Sequence, residues 1–215
     1  MQHSRIAIIG AGGAGREFLD VIRAINNVEP KWELAGFVAD DEPDTALLSR
    51  INARWLGPVD SFLSSPTASH YVVGIGDPRI RRDVTAQLDL IGLIPATLVH
   101  PSATIGQDTE FGAGTVICSH VSITTNVRLG RGVHVNRNST IGHDCRIGEF
   151  VTINPLVAVS GNVTLGRDVT MGVHSSILQG LRVGADALVG AGALVIEDVD
   201  PGTTVVGVPA RPLEA

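Results

Sequence analysis

From Val99 onward, every sixth residue is apolar. Positions 99 to 195 in steps of six hold only Val, Ile, Leu, Phe or Met, seventeen times without an insertion. Gly follows at 106, 112, 130, 142, 148, 166, 172, 184 and 190, and four places after each apolar residue comes Ala, Thr, Val, Ser, Cys or, once, Leu181. An α-helix cannot keep such a stripe in register, because its ~3.6 residues per turn do not divide six. A flat strand alternates every second residue and needs no recurrent Gly. The spacing therefore predicts a solenoid in which each hexad is a short strand and a turn. The apolar residue points inward, the small one fits a tight interior, and Gly relieves the corner. Parallel stacking of such coils saturates their backbone hydrogen bonds. The composition agrees: 8 aromatic residues against 25 Gly leave small and branched side chains to fill the interior.

The first 95 residues have a different rhythm. "RIAIIG" (5–10), "WELAGFVA" (32–39), "HYVVGIG" (70–76) and "ARWLG" (53–57) read as buried strands. "AGREFLDVIRAI" and "PRIRRDVTAQLDLIG" (78–92) read as helices, the second with Pro78 in its first turn. Strands alternating with helices imply a small parallel sheet. The chain is thus expected to hold two domains: 1–95, Rossmann-like, and 96–215, a β-solenoid ending in the tail "PGTTVVGVPARPL".

"GAGGAG" (10–15) places Gly10, Gly12 and Gly15 between a strand and a helix, where a phosphate can approach the helix N-terminus. Asp40, in "GFVADDEP", stands at a distance that suits a ribose hydroxyl. Ninety-five residues leave no second mononucleotide half to hold a nicotinamide, which argues against NAD.

A net charge of −6 with no basic patch argues against nucleic acid. Cys118 and Cys145 form neither a disulfide framework nor a CxxC signature. No stretch nears the ~20 apolar residues of a membrane span, and "MQHSRIAIIGAGG" lacks the order of a signal peptide. A cytoplasmic location with no membrane partner is the expectation.

"IGHD" (141–144) interrupts the small-residue repeat with an acid–base pair. His143, the third residue of its hexad, stands at a corner where it can point off the solenoid. Its ordinary pKa near ~6.5 suits proton acceptance at neutral pH. A neighbouring carboxylate, Asp144, can fix the tautomer and stabilise the imidazolium.

Taken together, "IIGAGGAG", "GFVADD", "VVGIGDPRIRRDV", "LVHPSATIG" and the hexads resemble the hexapeptide-repeat nucleotide-sugar acetyltransferases. That group includes the bacillosamine- and perosamine-type N-acetyltransferases and the sialic-acid O-acetyltransferase-like proteins. The resemblance implies a left-handed parallel β-helix with three hexads per coil, hence five to six coils over 99–200. It also implies a homotrimer with acetyl-CoA between neighbours and a nucleotide sugar held by the front domain.

By motif match, Ala11, Gly12 and Gly13 would meet the phosphates, Asp40 the nucleoside, and Gly76 and Asp77 the ligand at the next strand end. Asn136 would contact the sugar, and Thr152, Val173 and Ala191 the acetyl-CoA arm. His143 would be the base, Asp144 its orienter, and Gly161, one coil later, the donor to the thioester oxygen. Three departures stand out: Ala14 and Thr152 replace histidines of relatives, and Asp144 replaces the more usual, longer Glu.

His120, His134 and His174 are expected at the surface or an interface. The γ-type carbonic anhydrases, trimeric β-helices with zinc on three His, pair two of them five residues apart. His120, His134, His143 and His174 offer no such spacing, so no metal is expected. Transfer to an amine, transfer to a hydroxyl, and a catalytically silent nucleotide-sugar scaffold all remain open at this point.

Overall fold

Apolar runs in the first half become the strands of one small parallel sheet. The computed structural model describes residues 3–213, and the chain divides at Leu98/Val99 into two units. In the first, β1 (Ser4–Ile9), β2 (Trp32–Val38), β3 (His70–Val73) and β4 (Ile94–Pro95) lie in the order β2-β1-β3-β4, all parallel. The inner strand β1 is sealed on both faces, with Ile6, Ala7 and Ile8 at 0 % exposure, as expected of a parallel sheet covered by helices.

Two long helices, α1 (Gly13–Val28) and α4 (Pro78–Leu90), match the sequence reading closely. Two short helices that the sequence did not announce, α2 (Thr45–Arg50) and α3 (Val59–Ser64), fill the β2–β3 connection. The strand expected over 53–57 is reduced to a single bridge, Phe37 to Trp55. Gly57, at φ +100°, and Pro58, which caps α3, turn the chain away before a ladder can form. At the β1–α1 junction, a Cβ on Gly15 would lie 1.9 Å from the Gly10 carbonyl oxygen, so only Gly lets helix and strand meet.

In the second unit, seventeen two-residue strands run from Leu98–Val99 to Leu194–Val195, each ending on the hexad's apolar residue. Partners lie eighteen residues apart, as in Arg128 to Arg146 and Leu129 to Ile147. The hexads form three parallel sheets of five, six and six strands, one of which reaches eight with two strands from the tail, and three hexads make one coil of a left-handed β-helix. The interior is built from the apolar position and the small one four places on: Ile141, Cys145, Ile147 and Val151 are all buried. The tail extends one sheet, with Thr204–Val206 parallel to Leu188–Val189 and Arg211–Pro212 returning antiparallel. Among the described residues, no helix is long and apolar enough to cross a membrane.

The corners correct one expectation. Glycines that follow the apolar residue do not make the turn. A Cβ on Gly148 would lie 2.6 Å from the Arg167 nitrogen, so glycine stands here because the next coil's backbone crosses. The turn is made two residues later, where every sixth position from Asp108 to Gly192 has positive φ. Asp, Asn and Gly dominate that column because they tolerate the left-handed region. Phe150 and Leu156 are exceptions, at φ 56° and 63°. Phe150 is buried against Gly132, while Leu156 stays about half exposed. His134, expected at the surface or an interface, is buried on its strand.

Candidate active site

The C-terminal ends of β1 and β2, with Ile75 beyond β3, open into a cleft of about 480 Å³. Its floor is apolar, from Ile9, Val38, Val59 and the α4 residues Ile80 and Val84. Ala11, Gly12 and Asp40 line it, as the motif match expects. Gly13 is the first residue of α1, and a Cβ on Gly12 or Gly13 would meet nothing within 4 Å, so this turn is open to an approaching group. Gly76 and Asp77 are not among the cleft-lining residues.

Two of these acids have structural duties that the sequence did not reveal. Asp77 caps α4, its Oδ1 accepting from the amides of Arg79 (2.8 Å) and Ile80 (3.1 Å). Asp40 Oδ1 accepts from the Val59 amide at 2.9 Å and so anchors the start of α3.

Sequence reasoning missed Arg16. Its Nη1 donates to the Ala11 carbonyl (3.1 Å) and its side chain lines the cleft. The other charged lining residues are all acidic: Asp40, Asp41, Glu42 and Asp44. Arg16, in the first turn of α1, adds a positive charge to the helix dipole, so an anionic group among these four carboxylates would have a counter-charge there. An Arg directly after the glycine turn was the available signal.

On the solenoid, His143 follows the strand Thr140–Ile141 at an exposed corner. Its Nδ1 lies 2.7 Å from Asp144 Oδ2, and both side chains are about half exposed. Asp144 is the left-handed corner residue of that hexad, φ 62°. That bend brings the shorter carboxylate within reach of the ring. The hydrogen bond with His143, and secondarily one from Asn126, hold the Asp144 carboxyl below its ordinary value.

One coil later, the imidazole occupies the space where a Gly161 side chain would be. A Cβ there would lie 2.5 Å from His143 Nε2 and 2.6 Å from Cε1. Gly142 is equally constrained, since its Cβ would lie 2.5 Å from the Gly161 nitrogen. A bare backbone thus lies beneath the free edge of the ring. Behind the pair, Cys145 is buried with Sγ directed at the Ser160 carbonyl (3.1 Å), and burial pushes its thiol pKa up. Among the described residues, no group of three or more His, Cys, Asp or Glu could hold a metal ion.

The remaining predicted residues stand elsewhere on the solenoid. Asn136 follows the strand His134–Val135, and its Nδ2 donates to the Ile153 carbonyl (3.1 Å). Asn154 makes the same stitch one coil later to Met171 (2.9 Å), so this asparagine has a structural use as well. Thr152 is buried, whereas Val173 and Ala191 are exposed one above the other at the corner that follows Thr170–Met171 and Leu188–Val189. Those strands belong to a different sheet from Thr140–Ile141. Within one chain, therefore, Asn136, Val173 and Ala191 share an edge that is not the edge of His143.

The PglD N-terminal domain family matches residues 5–88. GDP-perosamine N-acetyltransferase of Escherichia coli O157:H7 is 34% identical over 131 residues, a match spanning 60% of this chain and 58% of that relative's length. PerB from Caulobacter crescentus, solved with CoA and GDP-perosamine, superposes with a TM-score of 0.87 at 28% identity, covering 97% of each chain. The acetyltransferase domain of PglB from Neisseria gonorrhoeae FA1090, solved with acetyl coenzyme A, gives 0.85 at 30% identity, covering 99% of this chain and 100% of that one.

Proposed function

The chain belongs to the hexapeptide-repeat acetyltransferases with a PglD-type front domain, and on that premise we propose that it transfers an acetyl group from acetyl-CoA to the amino group of a nucleotide-linked amino-dideoxy sugar. The observation that carries this reading is the imidazole of His143, tied at Nδ1 by Asp144 and seated with Nε2 over Gly161.

The neutral amine nitrogen adds to the thioester carbonyl carbon. A C–N bond forms, the C–S bond breaks, and CoA leaves as the thiolate. His143 Nε2 takes the proton that the nitrogen sheds and returns it to sulfur. Asp144 holds Nδ1–H, which leaves the Nε2 lone pair available. The Gly161 amide is the donor to the oxygen that gains charge.

In the front cleft, Ala11, Gly12 and Gly13 receive the diphosphate at the N-terminus of α1, with Arg16 as its counter-charge. Asp40 keeps one oxygen for the nucleoside while the other holds α3. Gly76 and Asp77 act from beyond the cleft's lining, Asp77 through the capping that fixes α4. The acetyl-CoA arm runs along the edge of Val173 and Ala191, Asn136 meets the sugar there, and Thr152 supports that edge from within. Because that edge differs from the edge of His143, the reading requires a neighbouring chain, and it takes the assembly to be the homotrimer that the family resemblance implies, with each His143 facing a neighbour's edge.

An amine acceptor is favoured over a hydroxyl because the relatives bear names with GDP-perosamine, whose acetylated group is an amine. The test is thiol release from acetyl-CoA with matched amino and hydroxy versions of a GDP-linked dideoxy sugar. Release with the amino compound alone is expected. Release with the hydroxy compound alone, or binding of both without release, would overturn the reading.

A further inference from the structure

The His–Asp pair does not stand alone at its corner. Asn126, eighteen residues before Asp144 and therefore one coil below it, occupies the same left-handed position at φ 55°. Its Nδ2 donates to Asp144 Oδ1 at 2.5 Å, while Oδ2 of the same carboxylate faces His143 Nδ1. On the far side, Arg146 Nη1 donates to the Asn126 carbonyl at 3.0 Å, and Nη2 lies 3.5 Å from Asn126 Oδ1.

A side-chain amide can usually be turned about, its oxygen and nitrogen exchanging places. A guanidinium only donates, so it takes the amide oxygen and leaves the NH2 group to face Asp144. Each atom in the series Arg146, Asn126, Asp144, His143 has one role that satisfies its neighbours.

We propose that Asn126, oriented by Arg146, is a positioning residue for His143: it fixes the Asp144 carboxylate so that Oδ2 holds the proton on Nδ1 and the lone pair stays on Nε2, above Gly161. This rests on the reading of His143 as the base. Free imidazole favours the opposite tautomer, so the carboxylate must be held in place for the useful one to dominate. A second coil supplies the contrast. Arg128 reaches Asp108 in the same way, through Nη1 to the carbonyl (2.5 Å) and Nη2 to Oδ1 (2.7 Å), with no histidine beside it. The arginine stitch is thus a structural device of the repeat, and what is particular at Asn126 is the amide donor aimed at the pair.

The test uses Asn126→Asp and Asn126→Gly in the full-length protein. Both residue types occur in the left-handed column, so both variants keep the corner, and both remove the donor. Nitrogen NMR of His143 at alkaline pH reads the ring tautomer directly. The expected result is a predominantly Nδ1–H ring in the parent and a shift toward Nε2–H in both variants. With it, kcat falls about tenfold or more, while KM for both substrates and Tm change little. An unchanged tautomer and an unchanged kcat would overturn the proposal even if His143→Asn is inactive. Full activity of His143→Asn would instead overturn the base assignment and leave the tautomer result to judge the geometry alone.

Discussion

Asp144 answers two demands at one position: a left-handed corner and an acceptor for the imidazole beside it. The first demand explains why Asp is tolerated there; the second is met by a carboxylate whose two oxygens accept from the ring and from Asn126 at once, where Asn has a single acceptor oxygen. Replacing His143 by Asn is expected to lower turnover by roughly 10²- to 10⁴-fold with nucleotide binding preserved, read by steady-state kinetics and calorimetry. Gly161→Ala is expected to displace the ring, since its Cβ would meet Nε2 at 2.5 Å. A ring at the surface can swing aside, so activity should drop sharply while Tm holds.

The pH dependence at Asp144 has a definite sign. Its folded pKa lies below the ordinary 3.8, chiefly through the His143 hydrogen bond and then through Asn126. The stabilisation is therefore complete above that ordinary value and disappears as pH falls through the lower, folded one. The Tm difference between the parent and Asp144→Asn should stay level near neutrality and shrink only at acid pH. Adjacency and chemistry made His143 and Asp144 legible in the sequence. Asn126 was not, because eighteen residues separate it from its partner and Asn is common at these corners. Nor could the sequence show that Asp40 anchors a helix beginning nineteen residues later, whereas Asp77, directly before the helix read from Pro78, was open to such a reading.

At the scale of strand and corner, two kinds of glycine have separate consequences. Gly148 is required by the crossing backbone of the next coil, with the Arg167 nitrogen 2.6 Å from its absent Cβ. Gly148→Ala is expected to cost about 2–3 kcal/mol, as overpacking does. Gly180 is held at φ +79° with open space around it, its nearest neighbour 4.0 Å away. Gly180→Ala is expected to cost only about 1 kcal/mol, through the left-handed backbone. Urea unfolding of the two variants checks the order, and equal losses would refute the distinction. The hexads were readable because each strand commits one apolar residue inward at a fixed step. The turn-maker was misplaced because the conspicuous Gly column is a packing feature, while the true corner hides among Asp, Asn and His. In the front unit, Trp55 fails to extend a strand because Gly57 and Pro58 end the run, a local effect that outweighs its apolar neighbours.

For the whole molecule, the separation of His143 from the Asn136–Val173–Ala191 edge within one chain makes assembly part of the proposed chemistry. Light scattering is expected to give three times the chain mass, and a fully active monomer would contradict that arrangement. The eighteen-residue partnership of strands also has a bearing on how a gene for such a chain can change in length. Losing or gaining six codons upstream of His143 would preserve every inward residue, yet would rotate the imidazole by a third of a revolution relative to everything before it. Only a whole storey of eighteen can be inserted or deleted without moving His143 to the wrong wall.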